Sequence, residues 1–252
     1  MPIALLLVAA VAAGPAIDES KVVDLTYSFS RDTIYWPTAK PFTLEKAAWG
    51  ETEAGFFYAS ANLAASEHGG THMDAPIHFA AGKRTADQVP LTQLMGPAAV
   101  IDVSAKAAKD ADYRATAADV EAWEEIHGRI PEGAIVLLRT GWGERWPDKK
   151  RYLGSDEPGD ASDLHFPAWS KGAAELLVAR KVDAVGVDTP SLDHGPSKDF
   201  IVHQVLNGAD VPGLENVAHL ERLPPTDAFV VAAPMKIAGG TGGPARIFAI
   251  LP

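Results

Sequence analysis

The chain has 252 residues, a formal net charge of -11 and a pI near 5.1. That acidic balance argues against nucleic acid as a partner, since phosphate binding needs a basic face. It contains no cysteine, so disulfides, thiolate zinc sites and cysteine nucleophiles are excluded together, and any metal must be held by His, Asp and Glu.

The chain opens on the apolar run MPIALLLVAAVAAGPA, residues 1–16. Its small-residue end resembles a secretory cleavage site, although no Lys or Arg precedes the run. It is shorter than the roughly 20 residues of a membrane span, so no membrane partner is expected. The segment reads as a signal peptide or as an N-terminal apolar element. Export would place the protein in the periplasm or outside the cell; otherwise it is cytoplasmic. Residues 17–252 are expected to form one domain.

Apolar, β-rich runs follow: KVVDLTY, AAVIDVS, AIVLLRT, AVGVD and AFVVAAP. Each is bounded by Gly, Pro, Asp or Ser, as strands usually are. GAIVLLRT and DAVGVD are apolar almost throughout, which suits strands buried on both faces. Between them, AADVEAWEEIH (117–127) has apolar residues at helical spacing. SKGAAELLVARK (170–181) begins with a Ser suited to capping and ends in basic residues, as a helix dipole prefers. That helix runs straight into DAVGVD, the helix-to-strand step of an α/β fold. The Pro- and Gly-rich stretch 146–169 reads as a long surface loop. The expected class is α/β, a mixed sheet with flanking helices.

The chemistry concentrates in HGGTHMDAPIHF, residues 68–79. The whole chain has 8 histidines, and three of them fall here with one aspartate. In an extended segment His72 and Asp74 point to the same face. Gly69 and Gly70 allow the sharp turn that would bring His68 to them. Thr71 could orient a ligand through its hydroxyl, and Pro76 stiffens the path to His78. Zinc or manganese accepts imidazole nitrogen and carboxylate oxygen together. Plain hydrogen bonding explains a lone histidine, whereas a cluster favours metal. Three protein ligands leave open positions, the pattern of a catalytic site. Water held there would ionise near pH 7, and His78 is the candidate to move its proton.

Other chemistries are absent: there is no GxSxG elbow, no HExxH and no Walker A loop. GTGGPA (240–245) fits GxGxxA but has no room for a βαβ unit. It reads as a turn, or as a glycine-rich segment that lets backbone approach the site. Asp188 and Asp193 read as turn acids. His165, His194 and His219 have no comparable support. Trp36, Phe56, Phe57, Tyr58 and Trp142 are candidates to line an aromatic pocket, Trp36 and Phe57 foremost, with ordinary core packing as the alternative for each.

HGGTHMDAPIHF resembles the HxGTHxDxPxH signature of the cyclase family, which includes bacterial kynurenine formamidase and isatin hydrolase. LLRTGW, GVDTPSLDHG, DFIVHQVL, LENV and PMKIAGGTGGPARIFAI extend the likeness over most of the chain. The resemblance implies a swivelling β/β/α fold, a homodimer or homotetramer, metal ligands His68, His72 and Asp74, and catalytic His78. It implies a second metal on His203 and Glu215 if the chain follows the formamidase branch, and one manganese if it follows the isatin hydrolase branch. The end segment reads closer to the latter. The function implied is a metal-dependent hydrolase of C–N bonds in a small, aromatic amide, formamide or lactam, using one or two Zn or Mn ions per chain. Lactone or ester hydrolysis, cyclisation, and non-catalytic metal or ligand binding are the alternatives.

Overall fold

The computed structural model describes residues 17–252; the apolar segment 1–16 lies outside them. In chain order the strands and helices are β1 (Val22–Asp24), β2 (Thr43–Glu51), β3 (Phe57–Ala64), β4 (His72–Asp74), β5 (Met95–Asp102), α1 (Ser104–Ala107), β6 (Arg114–Ala115), α2 (Ala117–His127) and β7 (Ile135–Arg139). They continue with α3 (Lys149–Leu153), β8 (Ala168–Trp169), α4 (Lys171–Arg180), β9 (Ala184–Val187), α5 (Ile201–Gly208), β10 (Gly213–Glu215), β11 (Phe229–Pro234) and β12 (Gly242–Ile250).

Eight strands make one mixed sheet in the order β1-β12-β11-β5-β7-β9-β10-β4. Strand β4 also pairs with β12, so the sheet closes on itself. Strands β5, β7, β9 and β10 run parallel, and helices connect them as α/β units require. Side chains alternate between two cores, as the period of a strand dictates. Val100, Leu137, Leu214, Val230 and Ile247 belong to the core that the closed sheet surrounds. Ile101, Leu138 and Val187 belong to the other, beneath Trp123 of α2, Leu177 of α4 and Leu206 of α5. Both helices expected from the sequence form. Ser170 caps α4 by accepting from the Ala173 amide, and Thr116 caps α2.

Three expectations need correction. The stretch 146–169 is not one loop, since it holds helix α3 and strand β8, and Tyr152, Leu164 and Phe166 in it are buried. The GTGGPA segment is not a plain turn, because from Gly242 onward it is strand β12. Asp188 is more than a turn acid. It sits buried at the end of β9 and accepts from the Thr140 amide (2.9 Å), the Thr140 hydroxyl (2.6 Å) and the Gly141 amide (2.9 Å), tying the end of β7 to β9. Burial pushes its carboxyl up to about 6, and these donors oppose that rise.

This constellation of donors suits a carboxylate and no amide. An Asp188→Asn chain would turn an –NH2 group toward at least one backbone N–H. We expect a stability loss of about 1–3 kcal/mol, read as a lower urea midpoint with unchanged slope.

Candidate metal centre

Strand β4 runs antiparallel between β10 and β12. Its register places Glu215 opposite His72, so the two side chains share a face. His72 Nε2 lies 3.3 Å from Glu215 Oε2 and 3.2 Å from Asp74 Oδ1. Asp74 has glycine opposite it on both edges, Gly213 on β10 and Gly242 on β12. Both glycines are required by space. A Cβ on Gly213 would lie 3.1 Å from Asp74 Oδ2, and one on Gly242 would lie 2.6 Å from His68 Cε1.

Gly69 and Gly70 make the turn the sequence suggested. Gly70 has φ +58, in the left-handed region that glycine adopts freely. The turn brings His68 Nδ1 to 2.6 Å from Asp74 Oδ1. From α5, His203 Nε2 reaches Glu215 Oε1 at 3.1 Å and Asp74 Oδ2 at 3.3 Å. His78 follows β4 in a 3-10 turn begun by Pro76, and its ring stacks on His68 at 3.8 Å. The six residues singled out, His68, His72, Asp74, His78, His203 and Glu215, thus form one contiguous cluster. Ligand atoms of His72, Asp74 and Glu215 lie within 4.8 Å of one another, and so do those of His68, Asp74 and His78.

The hydrogen bonds around the cluster fix its imidazoles. His72 Nδ1 donates to the Gly70 carbonyl at 2.9 Å, which leaves Nε2 free to bind. His203 Nδ1 donates to Asp193 Oδ2 at 2.7 Å. Asp193, expected to be a turn acid, is therefore a buried partner of the site, and it also accepts from the amides of Val202 and His203. Its position gave no signal, because nothing in PSLDHG ties it to a histidine beyond the next loop. Glu215 accepts from the Leu192 amide at 2.8 Å. Thr71 holds the frame through its hydroxyl, which donates to the Asn216 carbonyl at 2.7 Å.

Burial alone would raise the Asp74 carboxyl, but the imidazoles of His72, His203 and His68 hold it well below the usual carboxylate range. Burial works against an imidazolium at His72, and the Asp74 and Glu215 carboxylates prevail, so His72 is pushed up to about 10. His203 is raised in the same way, against burial, by Asp193, Asp74 and Glu215. Two buried carboxylates thus demand positive charge beside them. A divalent cation meets that demand as well as imidazolium protons do. His72 Nε2 and Asp74 Oδ2 are buried without a hydrogen-bond partner. A lone imidazole nitrogen and a lone carboxylate oxygen in one cluster are the donor types a zinc or manganese ion takes. The residues present fit a divalent metal.

The cluster floors a cavity of about 340 Å³. Trp36, Phe79, Phe200 and Ile34 wall it, with Ser191 and Pro190 at one side. Trp36 lines this cavity, 6.0 Å from Phe200. Phe57 does not. It stands on the β2–β3 hairpin, 57% exposed and outside the cavity of its own chain, as do Phe56 and Tyr58. Trp142 packs in a core with Tyr152 and Phe166. Phe79 and Phe200 were not singled out, although Phe79 directly follows His78 in the motif.

Residues 23–194 match the family described as "Putative cyclase". The isatin hydrolase of Roseibium aggregatum is 36% identical over 206 residues, covering 79% of this chain and 77% of that protein. The kynurenine formamidase of Salinibacter ruber is 30% identical over 230 residues, covering 89% of this chain and 95% of that protein. Isatin hydrolase A from Labrenzia aggregata, solved with benzyl benzoate, superposes with a TM-score of 0.83 at 35% identity, over 91% of this chain and 93% of that one. A cluster built on HGGTHMDAPIHF, a sheet closed through β4 and a match across most of its length make this chain a member of the cyclase family.

Proposed function

We propose that the chain is a metal-dependent hydrolase that opens the C–N bond of a small, neutral, aromatic lactam or amide, as an isatin hydrolase does. The observation that carries this reading is the His/Asp/Glu cluster on the floor of an aromatic-walled cavity. Among the described residues that line the cavity, none is Lys or Arg. Kynurenine is an amino acid whose carboxylate would call for such a cation. A planar, uncharged ring between Trp36, Phe79 and Phe200 calls for none. Lactone or ester hydrolysis uses the same site and is the second reading.

His68, His72 and Asp74 would hold the ion, with Glu215 within reach as a further ligand. The metal supplies Lewis acidity, lowering the pKa of water and polarising a carbonyl, whether it is zinc or manganese. One ion per chain is the favoured count. His72 Nε2 is buried with no hydrogen-bond partner and is the nitrogen that calls for an ion, while His203 is held between Asp193 at 2.7 Å and Glu215 at 3.1 Å.

His78 would act as the base. Burial pulls its imidazole down to about 4 against the pull of Asp74, so the ring is neutral at physiological pH. A neutral ring can take a proton from the attacking water and hand it to the departing nitrogen. Trp36 and the two phenylalanines would seat the substrate and exclude bulk water. His78 also stands within metal-ligand distance of His68 and Asp74, which gives it a competing role as a ligand.

We infer a homodimer or homotetramer from the β2–β3 hairpin. It pairs with no strand of the main sheet. Leu44, Trp49, Phe56, Phe57, Tyr58 and Leu63 on it are each more than half exposed, at 52–61%. A lone two-stranded ribbon is marginal in water, and an apolar patch of this kind marks an interface. A second copy of the chain is the simplest partner. No helix among the described residues is long and apolar enough to cross a membrane.

Two predictions follow from this reading. With isatin as the assayed substrate, His78→Ala should bind metal like the unaltered chain and lose about 10²–10⁴-fold in turnover. Full turnover would remove its role as base, and a lost metal would make it a ligand. Light scattering on eluting protein should give the mass of a dimer or tetramer, and Trp49→Glu with Phe57→Ser should shift it to the monomer. A monomeric unaltered chain would contradict the interface.

A further inference from the structure

The glycine-rich stretch 239–243 has so far contributed only backbone. It carries one functional side chain, Thr241. His68 Nε2 lies 2.8 Å from Thr241 Oγ1. The same hydroxyl lies 2.5 Å from Glu67 Oε2, and the Thr241 amide donates to that oxygen at 3.1 Å.

The direction of these bonds follows from what each group can do. A carboxylate only accepts, so the hydroxyl proton points to Glu67. The hydroxyl oxygen must then accept from His68, which puts the ring proton on Nε2. His68 Nδ1 hydrogen-bonds Asp74 Oδ1 at 2.6 Å, and with a proton kept on Nε2 it is Nδ1 that would offer its lone pair to an ion in place of that bond. A metal binds only through such a lone pair.

Thr241 is held firmly enough to set this. The Ala75 amide donates to its carbonyl at 2.9 Å. The next two residues, Gly242 and Gly243, pair with Asp74 and Met73 of β4. The glycines permit the approach on both sides. A Cβ on Gly240 would lie 2.7 Å from Glu67 Oε1, and one on Gly242 would meet the His68 ring. His72 has the Gly70 carbonyl and His203 has Asp193 as its orienting partner. The hydroxyl and carboxylate of Thr241 and Glu67 occupy the same place for His68. The His68 ring in turn forms the stack on which His78 rests.

We propose that Thr241 and Glu67 are positioning residues that fix the tautomer and ring angle of His68, and through them the affinity of the site for its ion. The proposal rests on the reading of His68 as a metal ligand. Its test is the dissociation constant of Mn²⁺ and Zn²⁺, measured by calorimetry with a competing chelator on stripped full-length protein. Thr241→Val keeps the shape and removes the hydroxyl; Glu67→Ala removes the acceptor. Each should weaken binding about 10–100-fold, the usual effect of losing a partner that orients a ligand. Thr241→Ser, which restores the hydroxyl alone, should return affinity to within about twofold of the unaltered chain. Melting of the stripped variants checks that they fold, and Glu67→Ala serves if Thr241→Val does not. Unchanged affinity in both disruptive variants would overturn the proposal, as would a serine variant as weak as the valine one. If the unaltered chain takes up neither ion, the metal reading of His68 falls, and this inference with it.

Discussion

Strand β4 is three residues long and is paired on both edges, by β10 and by β12. That double pairing is what the rest of the site depends on. It closes the sheet, and it buries His72, Met73 and Asp74 completely or nearly so. Pleating then sends Met73 into the core while its two neighbours face the cluster. Pairing with β10 brings Glu215 to His72. Pairing with β12 puts a glycine beside Asp74 and Thr241 beside His68. A slip of one residue would exchange the core face for the polar one, so the register is strongly fixed.

The cost of this arrangement is electrostatic. Asp74, Glu215, His72 and His203 are each at most 5% exposed. Two carboxylates buried this deeply are tolerable only beside cations. Imidazoles supply that charge when protonated, and a divalent ion supplies it when bound. Proton and metal therefore compete for the same nitrogens, and metal binding is linked to pH. A ring of hydrogen bonds from Gly70, Asp193 and Thr241 limits how the imidazoles can turn, so the site is organised by the fold.

Much of this was legible in the sequence. HGGTHMDAPIHF announced its own geometry, because all its functional groups lie within one turn, one strand and one short helix. The buried strands β7 and β9 were visible as apolar runs, and α2 and α4 by their period and caps. His203 and Glu215 were different. They sit on α5 and β10, and only the closure of the sheet brings them to β4, so no spacing rule could place them; family resemblance did. Asp193 reaches His203 across a loop and Thr241 reaches His68 from a distant strand end, and such contacts leave no local pattern. The segment 146–169 hid a helix because proline and glycine at its ends masked five ordinary helical residues. The β2–β3 hairpin was missed because its apolar side chains face outward, where alternation against this chain's own core does not apply.

The single-ion centre is the claim on which the chemistry turns. Metal content per chain, by elemental analysis of protein purified without chelator or metal-affinity resin, tests it most directly. The account predicts about one zinc or manganese per chain, lost when His72 is replaced by alanine. Two ions per chain would contradict the assignment of His203 and Glu215 as hydrogen-bonded partners. No ion, with none restored by adding zinc or manganese, would contradict the metal centre itself.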